Sequence, residues 1–547
     1  MKIALAQLNY HIGNFEKDTV RIIETIHQAK KAGNDLIIFA ELAIGGYPAK
    51  DLLRNQTYLN NVEKALHEIA EACCDISCII GAPIRNQHAE GKRLFNAAVV
   101  IADKEIKHLV KKSYLPDYDV FDEYRYFEPN RETSCVTIGD TKIALTICED
   151  LWDDGVDNTY MGDILQELAI EKPDLIVNIA ASPFSYTHHQ TRLNIMRRAV
   201  LKGNAPLIYV NQVGAHTDLI FDGRSFVLDS NGDVVTVLKD FAEHVSSVSF
   251  EKGTFALQDE KETYQPNTEI GQIHDALVFG LKEYFEKSGF KKAVLGLSGG
   301  LDSAVVAALA CEALGADNVL AILLPSRYSS DHSLKDALDL VAKTGCNHEI
   351  IPINHMVEAY EESLSGLFSG MEPGLAEENI QARVRATVLM AASNKFGHIL
   401  LNTSNKSEAA VGYGTLYGDM AGAISVIGDV YKTQAYQLAE YINRKHEIIP
   451  RNTIVKPPSA ELRPDQKDSD SLPAYELLDS ILYHLVEQEK SEEEIIQLGF
   501  EEAMVKRVTK LLYGAEFKRF QAPPILRVSP KAFGAGRVIP LVAKYPN

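Results

Sequence analysis

The stretch Ser298-Gly299-Gly300-Leu301-Asp302-Ser303 decides how the second half of this chain folds. It follows a short apolar run at 292–297, ending in Leu295, Gly296 and Leu297, and it opens an alanine-rich run from Ala304 to Leu314. Strand, glycine-rich turn and helix start, in that order, gather backbone N–H groups and a helix N-terminus around an anion. The spacing is not Gly-x-x-x-x-Gly-Lys-Ser/Thr, so this is not a Walker A loop. The plainer alternative is a strand-to-helix turn with Asp302 or Ser303 as its cap.

Outward from this loop the pattern is regular. A strand is predicted at 319–324, a helix from about Ser333 and a strand at 349–353. This βαβαβ order predicts a doubly wound parallel sheet, in which ligands sit at the carboxyl ends of strands. Upstream, 270–287 reads as an amphipathic helix, and the polar stretch 251–267 reads as a linker between a first domain, 1–250, and a second, 268–547. The first domain alternates short β-branched runs, at 36–40, 78–81, 97–101, 142–147, 175–179, 207–211 and 224–228, with helical stretches. That alternation indicates an α/β layered domain, with a hairpin turn at 229–233. Two further segments, 363–378 and 457–472, are rich in Ser, Gly, Pro and charge and read as mobile loops of the kind that cover active sites. There is no internal repeat.

A chain of 547 residues exceeds one hydrophobic core, and its composition, 46% hydrophobic and 24% charged, is that of a globular protein. A net charge of −20 argues against general nucleic-acid affinity. Seven cysteines, Cys73, Cys74, Cys78, Cys135, Cys148, Cys311 and Cys346, form no even framework and no paired zinc spacing. With no signal peptide and no long apolar run, a reducing cytoplasm is the expected location.

Three separated segments of the first domain carry a nucleophile, a cation and a carboxylate. Cys148 and Glu41 each end an apolar strand, and Lys112 lies in Leu109-Val110-Lys111-Lys112-Ser113-Tyr114 with Lys111 as the adjacent alternative. Attack by sulfur needs a thiolate, which a base and a cation favour. The carboxylate relays the proton and the ammonium offsets charge on a tetrahedral oxygen. This set resembles the carbon–nitrogen hydrolase (nitrilase) superfamily over residues 1 to about 250. The resemblance implies a four-layer α-β-β-α sandwich in which Glu41 is the base, Lys112 the stabiliser and Cys148 the nucleophile, with Glu123 as a second carboxylate positioning Lys112. By the same resemblance Tyr118 and Ser182 would hold glutamine. His188 stands where a lysine usually follows that serine, a departure for which Arg192 or His189 are the available substitutes.

The second domain adds Asn379, Arg383, Thr403, Glu408, Asp419, Lys432 and Lys518, in or beside the segments Asn379-Ile380-Gln381-Ala382-Arg383, Asn402-Thr403-Ser404-Asn405-Lys406-Ser407-Glu408 and Tyr417-Gly418-Asp419. The glycine loop resembles that of ATP-pyrophosphatase ligases, and the whole set, over about 270–540, resembles the NAD synthetases. That resemblance implies that Gly296, Leu297, Ser298, Gly299, Gly300, Leu301, Asp302 and Ser303 wrap the ATP phosphates and that Thr403 and Lys432 also contact ATP. Asn379, Glu408 and Lys518 would touch nicotinic acid adenine dinucleotide, with Asp302 and Glu408 holding Mg²⁺.

Related ligases differ where it matters. An asparagine-type enzyme uses a cysteine directly after the initiator methionine, and Lys2 stands there. A GMP-type glutaminase needs Gly-x-Cys-x-Gly, whereas Ile147 and Glu149 flank Cys148. The pairing of halves therefore implies an ATP-driven, glutamine-dependent amidation of nicotinic acid adenine dinucleotide to NAD, with ammonia passed internally. It further implies small-molecule partners, no membrane or nucleic acid, and a homo-oligomer, a dimer through the synthetase half or larger.

Overall fold

A computed structural model of the chain describes residues 1–88, 90–152, 160–257, 267–464 and 466–545. The chain divides into two compact units, Met1–Pro266 and Asn267–Asn547.

The first unit contains two large sheets. One orders its strands Thr254–Leu257, His244–Glu251, Lys2–Gln7, Leu36–Ile38, Ser77–Arg85, Leu94–Ala102 and Glu105–Lys111. The other orders them Val234–Val237, Phe226–Leu228, Leu207–Asn211, Leu175–Ala180, Thr141–Ile147 and Val136–Ile138. Period-2 side-chain alternation builds the layers. In the first sheet Ile3, Leu5, Leu36, Ile38, Ile79, Ala98 and Val100 belong to the core shared with the second sheet. Their neighbours Ala4, Ala6, Ile37, Cys78, Ile80, Val99 and Ile101 pack with the apolar faces of helices Phe15–Lys31 and Gln56–Ala72. Helices Ile164–Ile170 and His188–Gly203 contribute Leu165, Leu168, Met196 and Val200 to the second sheet's core. The result is the α-β-β-α sandwich, and strands buried on both faces account for the nearly continuous apolar runs.

Strand pairing in this unit continues past residue 250. Thr254–Leu257 pairs antiparallel with His244–Glu251 across a turn at Gly253, so 251–257 is part of a sheet rather than connecting chain. The strand itself, Thr254-Phe255-Ala256-Leu257, is mostly apolar, but it is only four residues long and its polar flanks make the stretch read as a linker. The remainder of that stretch up to 266 lies outside the described residues.

The second unit is built on five strands in the order Asn347–Ile350, Val319–Leu323, Ala293–Gly296, Ile399–Asn402, Ile424–Ser425, with every neighbouring pair parallel. Chain order 3-2-1-4-5 makes this a doubly wound sheet whose switch point lies between Ala293–Gly296 and Ile399–Asn402. The predicted strand at 349–353 sits further back, at Asn347–Ile350. Pro352 has no N–H to donate, and the strand is exposed along its length, which disguised its polar start. Helix Leu375–Phe396 starts before Asn379 because the Glu377 carboxylate accepts from Gly374 N–H at 2.6 Å, closing the first turn. The stretch read as a mobile loop at 363–378 is thus helical at both ends. Among the described residues no helix is long and apolar enough to cross a membrane.

Candidate functional site

In the first unit Glu41, Lys112, Cys148 and Ser182 each stand just past the end of a strand, and the sheets bring those ends together. The backbone of Glu41 crosses Gly81 so closely that a Cβ there would lie 2.6 Å from the Glu41 Cα, so only glycine fits. Lys112 Nζ lies 2.7 Å from Glu41 Oε1 and 2.8 and 2.9 Å from the two Glu123 oxygens. All three side chains are buried. Asn96 Nδ2 donates to Glu41 at 2.7 Å and to Glu123 at 3.2 Å, and Ala181 N–H donates to the other Glu41 oxygen at 2.9 Å. Tyr47 Oη donates to Glu123 at 3.1 Å.

Two carboxylates thus share one ammonium in a buried site. Burial pushes Glu123 up to about 7, Lys112 pulling it back and Glu41 pushing further. Burial opposes the charge on Lys112, and Glu123 and Glu41 outweigh it, so its pKa stands well above the ordinary value. Burial likewise raises the Cys148 thiol well above its ordinary range; Glu41 adds to this and Lys112 opposes it. The sulfur therefore rests as a thiol beside both a base and a cation, the condition for proton transfer coupled to attack. Lys111 is directed elsewhere, its Nζ 4.1 Å from the Phe95 ring centre.

Cys148 begins the turn Cys148–Leu151 with φ +44°, left-handed backbone that costs a non-glycine residue of order 1–2 kcal/mol. Asp150 holds it there. Its carboxylate accepts from Ile147 N–H at 3.0 Å on one oxygen and from Ser113 and Tyr114 N–H at 2.9 and 3.0 Å on the other. One buried side chain ties the cysteine turn to the segment leaving Lys112.

Asp150→Asn leaves a single acceptor oxygen for these three donors. The expected result is a loss of about 1–3 kcal/mol in stability and slower reaction at the Cys148 thiol. Burial raises Asp150 to about 6 despite the backbone donors. With the folded pKa above the unfolded one, its carboxyl favours the native state fully below about pH 4 and loses that contribution as pH rises through 6. Urea unfolding from pH 4 to 7 should therefore show the variant's deficit shrinking as pH increases.

Next to the cysteine, buried Glu149 accepts from Tyr118 Oη at 2.8 Å and Tyr160 Oη at 3.0 Å, and burial raises its pKa. Ser182 Oγ is 3.3 Å from His188 Nε2, and the His188 ring lies 4.9 Å from Trp152. Arg192 is fully buried, 3.2 Å from Asp222 and 3.4 Å from Ser182 Oγ, so it braces the serine from behind. Burial, with Arg224 and Arg192 nearby, lowers His189 to about 3, which keeps it neutral. Sequence inspection did not single out Asn96, Asp150, Glu149 or Tyr160. Asn96 lies at the start, not the end, of an antiparallel strand, and only its being polar inside an apolar run marks it.

In the second unit the glycine loop follows Ala293–Gly296 and leads into helix Leu301–Leu314. Gly299 has φ +80°, and a Cβ there would come within 2.1 Å of the Ser333 carbonyl oxygen, so the turn requires glycine. Hydroxyls preform the loop: Gly300 N–H donates to Ser298 Oγ at 3.1 Å, and Ser298 Oγ lies 3.0 Å from Ser303 Oγ. No side chain caps the helix. Asp302 instead pairs with Lys432 Nζ at 2.5 Å and accepts from Asn405 at 3.2 Å. Glu408 is 3.8 Å from the same lysine. Burial and Asp302 push Glu408 up to about 8, with Lys432 opposing.

A cavity of about 320 Å³ opens here, lined by the loop except Gly299, and by Thr403, Glu408, Asp419, Lys432 and the 457–462 segment. Glu461 fastens that segment, accepting from Ser330 Oγ at 2.9 Å and Ser333 Oγ at 2.7 Å. Asn379 and Lys518 stand outside the cavity wall, gathered on the 412–419 loop. Thr415 Oγ1 donates to Asn379 at 2.7 Å, Lys518 Nζ to the Gly412 and Gly414 carbonyls at 2.8 and 2.7 Å, and Arg383 Nε to Leu416 O at 3.2 Å.

Comparison with known proteins agrees with this division. The carbon-nitrogen hydrolase family matches residues 2–256 and the NAD synthase family residues 273–522. The chain is 45% identical to a glutamine-dependent NAD(+) synthetase of Synechocystis sp. and 38% identical to one of Thermotoga maritima, covering 99% of each relative and 99% and 100% of itself. It is similar also to the structure of glutamine-dependent NAD+ synthetase from Acinetobacter baumannii in complex with ADP, at 36% identity and a TM-score of 0.79 over 99% of this chain and 98% of that one. With a sandwich bearing a buried thiol, base and cation, a doubly wound sheet bearing a glycine-loop cavity, and full-length similarity to such enzymes, the chain belongs to the glutamine-dependent NAD(+) synthetases, glutamine-hydrolysing ligases that make NAD.

Proposed function

We propose that glutamine is hydrolysed at Cys148 and that its nitrogen completes the amidation of nicotinic acid adenine dinucleotide in the cavity of the second unit. The observation that carries this reading is the buried ion pair of Lys112 with Glu41, 2.7 Å long, whose charges both act on the Cys148 thiol. Glu41 takes the thiol proton as sulfur attacks the side-chain amide carbonyl of glutamine. Lys112 offsets the charge that develops on oxygen, and Glu41 returns the proton to the departing ammonia. Water, activated by the same carboxylate, then cleaves the thioester to glutamate. Tyr118, Ser182 and His188 border the site and would orient the substrate.

A carboxylate is a poor acyl donor. In the cavity, attack by the dinucleotide acid on the α-phosphorus of ATP gives a mixed anhydride with AMP and releases pyrophosphate; ammonia then displaces AMP. The glycine loop and Thr403 would hold ATP, and Asn379, Glu408 and Lys518 the acid. Asp302 and Glu408 supply oxygen donors suited to a hard cation, and their combined charge exceeds what Lys432 alone offsets, as the raised pKa of Glu408 reports. Mg²⁺ held by these two would offset phosphate charge. Ammonium is no nucleophile, so ammonia is expected to pass internally, in a cytoplasmic enzyme that pairs through its synthetase half.

Glutamine labelled with ¹⁵N in its amide tests the whole scheme. Mass spectrometry should find the label in NAD, with one AMP and one pyrophosphate per NAD. Unlabelled NAD in the presence of ordinary ammonium, or ADP in place of AMP, would refute it.

A further inference from the structure

Arg385 enters the nucleotide cavity from helix Leu375–Phe396. Its Nε donates to the Leu324 carbonyl at 3.1 Å, just past the strand Val319–Leu323. That bond fixes the plane of the guanidinium, and no described residue accepts from its two terminal nitrogens. The other cations on the cavity wall are committed: Lys432 lies against Asp302 at 2.5 Å, and Lys456 donates to Ser333 Oγ at 3.0 Å. The carboxylates that act on Arg385 are Glu461 and Asp419. Each is engaged elsewhere, Glu461 by the Ser330 and Ser333 hydroxyls and Asp419 by Thr415 N–H at 2.6 Å. Arg385 therefore stands between the 457–462 segment beside the glycine loop and the 412–419 loop that Asn379 and Lys518 grip.

A partly buried guanidinium with its outer fork unpaired is costly unless something binds it. Its geometry suits two oxygens of one phosphate. We propose that Arg385 binds the α-phosphate of the nucleotide, holding in its fork the phosphate that first joins the acyl group and then leaves with AMP. This rests on the reading of the cavity as the adenylation site. Contact to the α-phosphate follows from the position of the residue between the glycine loop and the acceptor side. A guanidinium there offsets charge on the phosphoryl oxygens during both attack by the carboxylate and departure of AMP.

The test compares AMP with adenosine, which share everything but the phosphate. Calorimetric titration of the full-length enzyme with each, for the native chain, Arg385→Gln and Arg385→Lys, separates a phosphate contact from a role in shaping the cavity. The expected result for Arg385→Gln is AMP binding weakened by about 10–100-fold with adenosine affinity unchanged. Arg385→Lys should recover only part of the loss, since an ammonium lacks the planar fork. Equal weakening of both ligands, or AMP binding within threefold of the native chain, overturns the assignment. Failure of the native chain to bind either ligand would instead overturn the nucleotide reading of the cavity on which it rests. Ammonia-driven synthesis should fall in the same order, native then Lys then Gln, while glutamine hydrolysis is unaffected.

Discussion

Cys148→Ala is expected to remove glutamine-driven NAD synthesis by roughly 10⁴-fold or more and to leave synthesis from ammonium salts within a few-fold of normal. The thiol sits in a left-handed turn beside a base and a cation, an arrangement with no structural purpose that alanine would fail to serve. The side chain lost is small, and its backbone is held by Asp150 rather than by the sulfur. Stability should therefore fall by no more than about 1–2 kcal/mol. Measuring glutamate release and NAD formation with each nitrogen donor decides the matter. Equal loss of synthesis from both donors would mean that Cys148 supports the fold rather than the chemistry.

Asp302→Ala is expected to do the reverse. Synthesis from either donor should fall by at least about 10²–10³-fold, while glutamine hydrolysis continues. Asp302 is the near partner of Lys432, which is 3% exposed, and Glu408 at 3.8 Å is too distant to replace it. Removing one member of such a pair can cost about 3 kcal/mol in stability. Asp302→Asn is the needed companion, because it keeps the volume and one acceptor oxygen while removing the charge. Both variants should lose synthesis, and the Asn form should melt closer to the native chain. Synthesis within tenfold of normal in the Asn variant would exclude the proposed part of Asp302 in nucleotide and cation binding.

The glycine loop was legible because everything it needs is local: an apolar run, a glycine, Gly299, where φ must turn positive, and a helix directly after. Glu41 and Cys148 were legible because each ends an apolar run, and Lys112 because it follows a short strand; strands that run in one direction in a sandwich deliver their ends to one place. What stayed hidden depends on chain direction and on distance. Asn96 bridges Glu41 and Glu123 from an antiparallel strand, so its strand start meets the others' finish. Asp150 reads as one acid among several until its three backbone donors are seen. Arg383 and Arg385 lie two positions apart on one helix, about 200° around its axis. Sequence alone does not say which faces the cavity, and the one singled out at first faces the 412–419 loop instead. The hairpin strand Thr254–Leu257 was hidden because it is only four residues long and lies among polar residues that dominate the stretch.

The central strand Ala293–Gly296 acquires both of its neighbours from later in the chain, Val319–Leu323 and Ile399–Asn402, and the aspartate at its loop pairs with a lysine 130 residues downstream. During translation the glycine loop therefore emerges long before the strand Ile399–Asn402 and the helix bearing Lys432 that complete its surroundings. Contacts of such long sequence separation form slowly. All of the thiol-bearing unit, Met1–Pro266, is synthesised before the strand Ile399–Asn402 and the helix bearing Lys432, so the surroundings of the glycine loop are the last of the two sites to be completed.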